Sequence, residues 1–431
     1  MFDAVTANLE CYIVGGAVRD QLLGRPMGDR DWVVVHATPE EMLARGFRQV
    51  GADFPVFLHP ETSEEYALAR TERKRGRGYH GFTVHASPDV TLEEDLARRD
   101  LTINAMAMDS AGRVLDPFGG RDDLEARRLR HVGPAFVEDP LRVLRVARFA
   151  AQLADYGFEV AEETEVLLRQ MSSSGELADL TPERVWAETV KALASDKPSR
   201  YFAVLRQVGA LAEIFPEVEA LFGVPQPEEH HPEIDTGIHT LQALDAAAEL
   251  SDSIAVRFAT LCHDLGKALT PVDEWPRHHG HERRGIEPVR ALCERLRTPK
   301  AIRELAITVT AQHGRIHRAL EMRNATLVDL LENLDALRRP DRFEDILTVC
   351  HADLRGKSGQ ETADYPEGDW LRQVRATIAE VSPQPLIERG LQGKAIGEAL
   401  REERIRAVAK LRRSLQTGDA SQESAAGLST G

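Results

Sequence analysis

Through the first third of the chain, short apolar and β-branched runs alternate with stretches of helical periodicity. Residues 11–14 (CYIV), 31–35 (DWVVV), 55–58 (PVFL) and 65–69 (EYALA) read as strands, with helices near 17–23 and 39–45. Beyond about residue 136 the pattern changes. LRVLRVARFAAQLA, VLLRQM, ERVWAETVKALA and FAVLRQVGALAEIF repeat their apolar positions at the helical period with little β-branching. The predicted class is therefore α+β, with a small mixed sheet over 1–135 followed by helices nearly to the end. The interval GVPQPEEHHPE (223–233) reads as a linker or domain entrance, and residues from about 415 to 431, small and polar, are expected to be disordered. No internal repeat is visible.

Composition narrows this picture. A chain of 431 residues is too long for one core, so two to four domains are expected. The N-terminal MFDAVTANLE has no basic region ahead of an apolar run, and no stretch reaches the ~20 apolar residues of a membrane span. Cys11, Cys262, Cys293 and Cys350 are far apart and show no paired metal spacing, as expected of reduced thiols in a cytoplasmic protein. A net charge of −16 excludes a general nucleic-acid coat but not an RNA enzyme, because phosphate contacts depend on local charge. Locally, Arg70, Arg73, Lys74, Arg75 and Arg77, then Arg98-Arg99 and Arg127-Arg128-Leu129-Arg130, make the first third basic.

Chemistry enters at Gly15-Gly16-Ala17-Val18-Arg19-Asp20, between an apolar strand and a helical stretch. Glycines there let a phosphate approach the backbone, the helix N-terminus favours its charge, and Arg19 follows one turn later. The motif lacks the Walker lysine and the GxGxxG spacing. An ordinary Gly-Gly turn fits these residues as well. Next comes Gly28-Asp29-Arg30-Asp31 ahead of Trp32-Val33-Val34-Val35. Residues i and i+2 of a strand share a face, so Asp29 and Asp31 are expected to stand side by side on one strand, and two such carboxylates repel unless a divalent cation sits between them. A polar strand entrance is the plainer account of the same pair.

Together these residues resemble the head of the class II tRNA nucleotidyltransferases and their relatives the bacterial poly(A) polymerases. The resemblance continues through Arg98-Arg99-Asp100-Leu101-Thr102-Ile103-Asn104-Ala105, Asp116-Pro117-Phe118-Gly119-Gly120 and Glu138-Asp139-Pro140-Leu141-Arg142-Val143-Leu144-Arg145-Val146-Ala147-Arg148-Phe149. It implies a polymerase-β-like head and RNA addition from CTP and ATP onto tRNA. It further implies that Gly16 and Arg19 touch the triphosphate and that Asp29 and Asp31 are catalytic and hold Mg²⁺. Arg99, Arg145 and Arg148 would bind the incoming nucleotide, with Asp100 and Asn104 near the ribose. A third catalytic carboxylate is not identified; Glu65 and Asp100 are candidates by location.

The 138–149 segment reads physically as an amphipathic helix, with Pro140 in its first turn and Arg142, Arg145 and Arg148 forming a basic stripe. The resemblance makes Asp139 and Arg142 a protein template for the base. Cytosine and adenine each set an amine donor beside a ring-nitrogen acceptor, which a carboxylate and a guanidinium match; guanine and uracil reverse both.

A second constellation follows. His263-Asp264 lies on an apolar helix within Leu261-Cys262-His263-Asp264-Leu265-Gly266-Lys267, with His239 upstream and Asp353 downstream. This set resembles the H…HD…D ligands of HD phosphohydrolases. Imidazoles and carboxylates suit Mg²⁺, Mn²⁺ or Ni²⁺, and a bound metal supplies hydroxide at neutral pH. His278, His279, His281 and His313 are candidates for a second metal or a phosphate contact. His230-His231 reads as linker surface. Thr181-Pro182-Glu183-Arg184 reads as a capped helix start, its Arg and Glu bracing the helices around it.

The expected organisation is a nucleotidyltransferase head (1–135), a helical neck and body (136–228), an HD domain (229–355) and a helical tail (356–431). Expected activities are CCA addition to tRNA at the first site and, with Ni²⁺ or Mg²⁺, hydrolysis of 2′,3′-cyclic phosphates, 2′-nucleotides and other phosphoesters at the second. A structural HD domain without activity is the alternative there. A poly(A) polymerase fits the acidic balance and the HD segment less well, and a decayed RNA-binding protein would not need Asp29, Asp31, Asp139, Arg142, His263 and Asp264 intact. The protein is expected to be a cytoplasmic monomer or homodimer.

Overall fold

A computed structural model describes residues 5–51, 56–74, 82–229 and 231–426. The chain divides into two compact units, Met1–Glu219 and Ala220–Gly431.

In the first unit, strands β1 (Glu10–Val14), β2 (Asp31–Val35), β3 (Arg48–Val50), β4 (Val56–Leu58) and β5 (Glu65–Leu68) precede an antiparallel hairpin, β6 (Arg70–Lys74) with β7 (Phe82–Ala86). Two short strands follow, β8 (Ala107–Met108) and β9 (Val114–Leu115). Of these nine strands, all but the hairpin join one mixed sheet in the order β3-β4-β5-β2-β1-β8-β9. β1 runs antiparallel to β2 with Val14 opposite Asp31, and β5 runs parallel to β2 with Glu65 level with Asp31. Alternation along β2 puts Asp31 on the face of Val33 and Val35, which pack with Val14, Leu96, Ala105 and Ala107 in the core. Trp32, on the other face, stacks on its cross-strand neighbour Tyr66 at 5.3 Å.

The helices begin where local chemistry permits. After α1 (Gly16–Leu22), α2 (Pro39–Ala44) is capped by Thr38, and α3 (Leu92–Ala97) by a capping box of Thr91 and Glu94. α4 (Gly120–Glu125) needs its first glycine, because a Cβ at 120 would stand 2.4 Å from the Thr102 carbonyl oxygen. A two-residue parallel pair, β10 (Arg128–Leu129) and β11 (Glu159–Val160), flanks α5 (Leu141–Gln152). Then come α6 (Glu162–Ser173), α7 (Pro182–Leu193), α8 (Ser199–Gln207), α9 (Leu211–Ile214) and α10 (Pro216–Glu219). α5 is buried against α7 and α8.

The second unit is helical. α11 (Thr236–Leu250), α12 (Ile254–Cys262), α13 (His281–Arg284), α14 (Ile286–Arg295), α15 (Lys300–Ile316), α16 (Asn324–Asn333) and α17 (Pro340–Arg355) precede α18 (Pro366–Ala379), α19 (Gln384–Glu388) and α20 (Lys394–Ala426). α11, α12, α15 and α17 pack on one another around buried Leu244, Phe258, Val309 and Ile346. Among the described residues no helix is long and apolar enough to cross a membrane.

The α+β expectation is met, and the four predicted strands and two early helices are present; Pro55 lies outside the described residues. The structure differs in four places. Arg70–Lys74, read only as a basic run, is a hairpin strand; its charges obscure a β pattern, and Arg75 and Arg77 lie outside the described residues. The 202–215 stretch is two helices, because Gly209 takes a φ of +79°. The Pro-rich 223–233 interval is no free linker. Val224 and Gln226 are buried, the Gln226 N–H donates to the Ile234 carbonyl, and the Thr236 hydroxyl donates to the Val224 carbonyl. Finally, α20 continues through Ala426, well past 415, in a stretch whose Ala, Gln and Glu are good helix formers.

Candidate functional sites

The first site begins where β1 ends. Gly15 takes a φ of +73°, and a Cβ there would meet Arg99 Nη1 at 3.1 Å, so the turn requires glycine twice over. Helix α1 then carries Arg19 inward. Arg19 Nη1 donates to Asn104 Oδ1 at 2.9 Å, and Asn104 Nδ2 donates to Asp100 Oδ1 at 3.2 Å. Asp100 Oδ2 accepts from Arg145 Nε at 2.8 Å. Burial alone would raise the Asp100 carboxyl, but the Arg145 charge and these hydrogen bonds hold it down at about 2.

Helix α5 supplies the stripe of arginines. Arg148 Nε donates to Glu188 Oε2 at 2.5 Å, and Arg145 Nη1 lies 3.8 Å from Glu188 Oε1. At the helix start, Asp139 Oδ1 accepts the Leu141 N–H at 3.0 Å and its Oδ2 accepts from Arg184 at 2.7 Å. Arg142 donates to the carbonyls of Ala135 at 2.8 Å and Arg98 at 2.5 Å. These groups open onto one cavity of about 520 Å³, lined by Gly15, Gly16, Arg19, Asp31, Arg99, Asp100, Asn104, Asp139, Arg142, Arg145 and Arg148, with Arg70, Arg98 and Arg184 at its wall. A chain of net charge −16 thus concentrates eight arginines around one hollow, which suits a polyanion.

Asp31 opens β2, whereas Asp29 lies in the bend before it, because the β1–β2 ladder ends at the Val14–Asp31 pair. The same-strand argument for this pair therefore fails, and Asp29 is not among the residues lining the cavity. Although Asp31 as a residue is exposed, partial desolvation of its carboxyl, then the Asp29 carboxylate, push it up, with Arg99 opposing. Two oxygen-donor side chains with that mutual repulsion fit a hard divalent cation such as Mg²⁺.

The second site is a buried pit in the helical unit. His239 comes from α11, His263-Asp264 from the end of α12, His281 from α13, His313 from α15 and Asp353 from α17. The HD pair caps its helix rather than lying within it. Gly266 is obligatory here, since a Cβ would stand 2.0 Å from the His281 carbonyl oxygen. His239, His263 and Asp353 offer ligand atoms all within 4.8 Å of one another, and Asp264, His281 and His313 do the same. His263 Nε2 lies 3.2 Å from Asp264 Oδ2, which joins the two groups. His263 Nδ1 sits 2.6 Å from the Thr260 carbonyl, which leaves Nε2 facing the pit. That Nε2 and Asp264 Oδ1 are buried without a hydrogen-bond partner. Burial lowers the His263 pKa, but Asp264 and Asp353 outweigh it and carry it to about 9. A pit of nitrogen and carboxylate donors that favours a positive charge fits a divalent metal. A cavity of about 500 Å³ adjoins it, lined by Gln226, His231, Lys267, Arg277, His279, His281 and Arg318.

Against known families, residues 11–130 match the Poly A polymerase head domain, 157–222 the "Probable RNA and SrmB- binding site of polymerase A", and 236–341 the HD domain. The multifunctional CCA protein of Thioalkalivibrio sulfidiphilus is 60% identical over 404 residues, covering 94% of this chain and 99% of the relative. That of Methylococcus capsulatus is 60% identical over 405 residues, covering 94% and 95%. The chain belongs to the multifunctional CCA protein family. The fold agrees with that membership. The CCA-adding enzyme of Bacillus stearothermophilus, solved in complex with CTP, aligns with a TM-score of 0.61 at 27% identity over 97% of this chain and 95% of its own.

Of the residues given a role in this family member by sequence, the first cavity gathers all but Asp29 and the candidate Glu65, and the pit gathers all four expected ligands. Sequence reading missed several partners. Asp95, fully buried, holds Arg98 at 2.7 Å and Arg99 at 3.3 Å; only their spacing of three and four residues hinted at it. Arg184 and Glu188 on α7 brace, as expected, but what they brace is Asp139 and Arg148. Thr181 stands at the helix start without a side-chain capping bond. His231 is not linker surface: its ring packs on His239 at 4.7 Å, and its Nδ1 lies 3.0 Å from Glu233, which also approaches His239 at 2.9 Å. His230 lies outside the described residues. His278 has both ring nitrogens occupied, by Thr270 Oγ1 at 2.6 Å and the Pro225 carbonyl at 2.8 Å, and so is no ligand. His317, 2.7 Å from Asp353, was not foreseen.

Proposed function

We propose that this chain adds and repairs the 3′-terminal CCA of tRNA from CTP and ATP without a nucleic-acid template, and that its second unit is a metal-dependent phosphohydrolase. The observation that carries the first part is the single arginine-lined cavity holding the Gly15-Gly16 turn, Asp31, Asp139 and Arg142 together. The names of the relatives, multifunctional CCA protein and CCA-adding enzyme, support it.

In this reading Asp29 and Asp31 would hold Mg²⁺, which when bound would supply charge neutralisation for a two-metal phosphoryl transfer. Glu65, level with Asp31 on the adjacent strand, is the better candidate for a third carboxylate, since Asp100 is committed to Arg145. The Gly16 turn and Arg19 cradle the triphosphate, Arg99, Arg145 and Arg148 neutralise it, and Asp100 and Asn104 face the ribose. Asp139, paired with Arg184, offers carboxylate oxygens that accept, as the amine of cytosine or adenine requires. Its oxygens have lone pairs beyond those engaged by Leu141 and Arg184. Arg142, whose guanidinium is a donor only, is the proposed partner of the ring nitrogen.

For the second unit, His239, His263, Asp264 and Asp353 are the proposed ligands, with His281 and His313 joining Asp264 for a second ion. Ni²⁺ or Mg²⁺ there would supply a hydroxide for 2′,3′-cyclic phosphates, 2′-nucleotides and other phosphomonoesters. Removing such a phosphate from a damaged RNA end exposes the hydroxyl that nucleotide addition needs. We assign 1–135 as head, 136–228 as neck and body, 229–355 as HD domain and 356–431 as tail, in a cytoplasmic monomer or homodimer. The deciding assay supplies each NTP separately to tRNA lacking its 3′ end. CTP then ATP incorporation is expected; a long A-tail or no incorporation overturns the reading.

A further inference from the structure

The HD-domain match ends at residue 341, yet the pit draws on residues well beyond it. Asp353 uses its two oxygens differently. Oδ1 faces His239 Nε2 at 3.0 Å and His263 Nε2 at 3.8 Å, on the metal-ligating side. Oδ2 faces away, 2.7 Å from His317 Nε2. His317 does not join the group of ligand atoms within 4.8 Å of one another; it stands behind the carboxylate. Its other nitrogen, Nδ1, lies 3.2 Å from the hydroxyl of Tyr365, a buried residue just ahead of α18. One tautomer satisfies both contacts: the Tyr365 hydroxyl donates to Nδ1, and Nε2–H donates to Asp353.

Tyr365 is itself fixed. Its ring stacks on His351 at 5.6 Å, and a Cβ at Gly368 would lie 2.7 Å from it, so glycine at 368 makes room for the ring. His351 Nε2 is 2.8 Å from the Ala363 carbonyl, which ties α17 to the loop that delivers Tyr365.

We propose that His317 and Tyr365 are positioning residues that aim Asp353 Oδ1 at the metal, so that the segment after the HD match completes the HD site. The inference rests on the metal reading of the pit. A carboxylate whose outer oxygen is held by a hydrogen-bond relay presents its inner oxygen in one orientation, and removing such a partner lowers metal affinity by roughly 10–100-fold.

The test titrates Ni²⁺ into the full-length protein against a chromophoric chelator, for wild type, Asp353→Ala, His317→Gln and Tyr365→Phe, with the thermal transition of each recorded. Asp353→Ala reports on the metal reading itself: if it leaves Ni²⁺ affinity at the wild-type value, that reading fails. With Asp353→Ala weakened, His317→Gln is expected to lose ~10-fold or more and Tyr365→Phe several-fold. Tyr365→Phe keeps the ring and its packing, so an effect there at unchanged Tm belongs to the hydroxyl. Wild-type affinity in both His317→Gln and Tyr365→Phe overturns the proposal. So does loss of one nitrogen ligand from the Ni²⁺ X-ray absorption spectrum of His317→Gln, which would make His317 a ligand.

Discussion

The two sites solve the problem of gathering charge in opposite ways. In the first unit the carboxylates Asp29 and Asp31 are exposed, and arginines of the cavity are held by nearby acids: Arg145 by Asp100, Arg148 by Glu188, Arg99 by Asp95. Positive charge is in excess, and the hollow is open to a large anion. In the second unit His239, His263 and Asp264 are at most 1% exposed, and the acids stand among imidazoles. Asp353 illustrates the difference. Burial works against its charge, yet His263 and His317 hold its carboxyl well below the usual range. An open arginine hollow suits a polyanion that must enter and leave; a closed donor pit suits a small cation that stays.

The contrast breaks first at the carboxylates proposed to hold the metal. Asp29→Ala or Asp31→Ala is expected to lower nucleotide addition by roughly three orders of magnitude, the several kcal/mol a catalytic metal contributes. Hydrolysis of a cyclic nucleotide by the same variants should stay at the wild-type level. Conversely, His263→Ala or Asp264→Ala should cut that hydrolysis by ~10²-fold or more and spare addition to an intact 3′-OH end. Turnover on 2′,3′-cyclic AMP across a metal series, run beside the addition assay, reads both. Wild-type protein inert with every metal would leave the pit a packing device.

A smaller effect sharpens how the open site selects. Asp139→Ala and Arg142→Ala are expected to admit UTP or GTP, losing about 1–3 kcal/mol of discrimination, the range of one good bidentate contact. The readout is the ratio of kcat/KM for CTP to that for UTP. Uniform loss with all four nucleotides would make the pair structural, which the ties of Arg142 to Ala135 and Arg98 render a serious competitor.

The two sites also differed in how far the sequence disclosed them. The first is written in contiguous motifs, because a strand, its turn and the following helix place Gly15, Gly16 and Arg19 by local geometry alone. What stayed hidden there was what such residues hold: Glu188 on α7 reads as a brace, but its helical spacing does not say that it holds Arg148. Asp29 was misjudged for a related reason: where a strand starts is fixed by its neighbour's ladder, not by its own residues. The second site draws one or two residues from each of five helices, and only His263-Asp264 are adjacent. His317 and Glu233 carry no local mark at all; packing of α15 on α17 brings His317 to Asp353, and the loop ahead of α11 brings Glu233 to His239.

The smallest expected effect tests whether the arginine network is held by charge. Asp100 is buried, and its pKa of about 2 lies below the ordinary 3.8 because Arg145 outweighs the cost of burial. A carboxyl depressed in the folded state stabilises above its unfolded pKa, and that stabilisation is lost as pH falls through the folded value. The window is therefore pH 4 down to 2, and the shift corresponds to on the order of 2 kcal/mol. Asp100→Asn removes the charge while keeping the side chain's size. At pH 5 the variant's thermal transition should lie below that of the wild type, and the gap should close as pH falls from 4 to 2. Other carboxyls titrate in the same range, but they do so in both proteins, so the difference isolates Asp100. Two acid curves that stay parallel throughout would mean that the Asp100–Arg145 pair is held by geometry rather than charge, and the contrast with the pit would lose its electrostatic half.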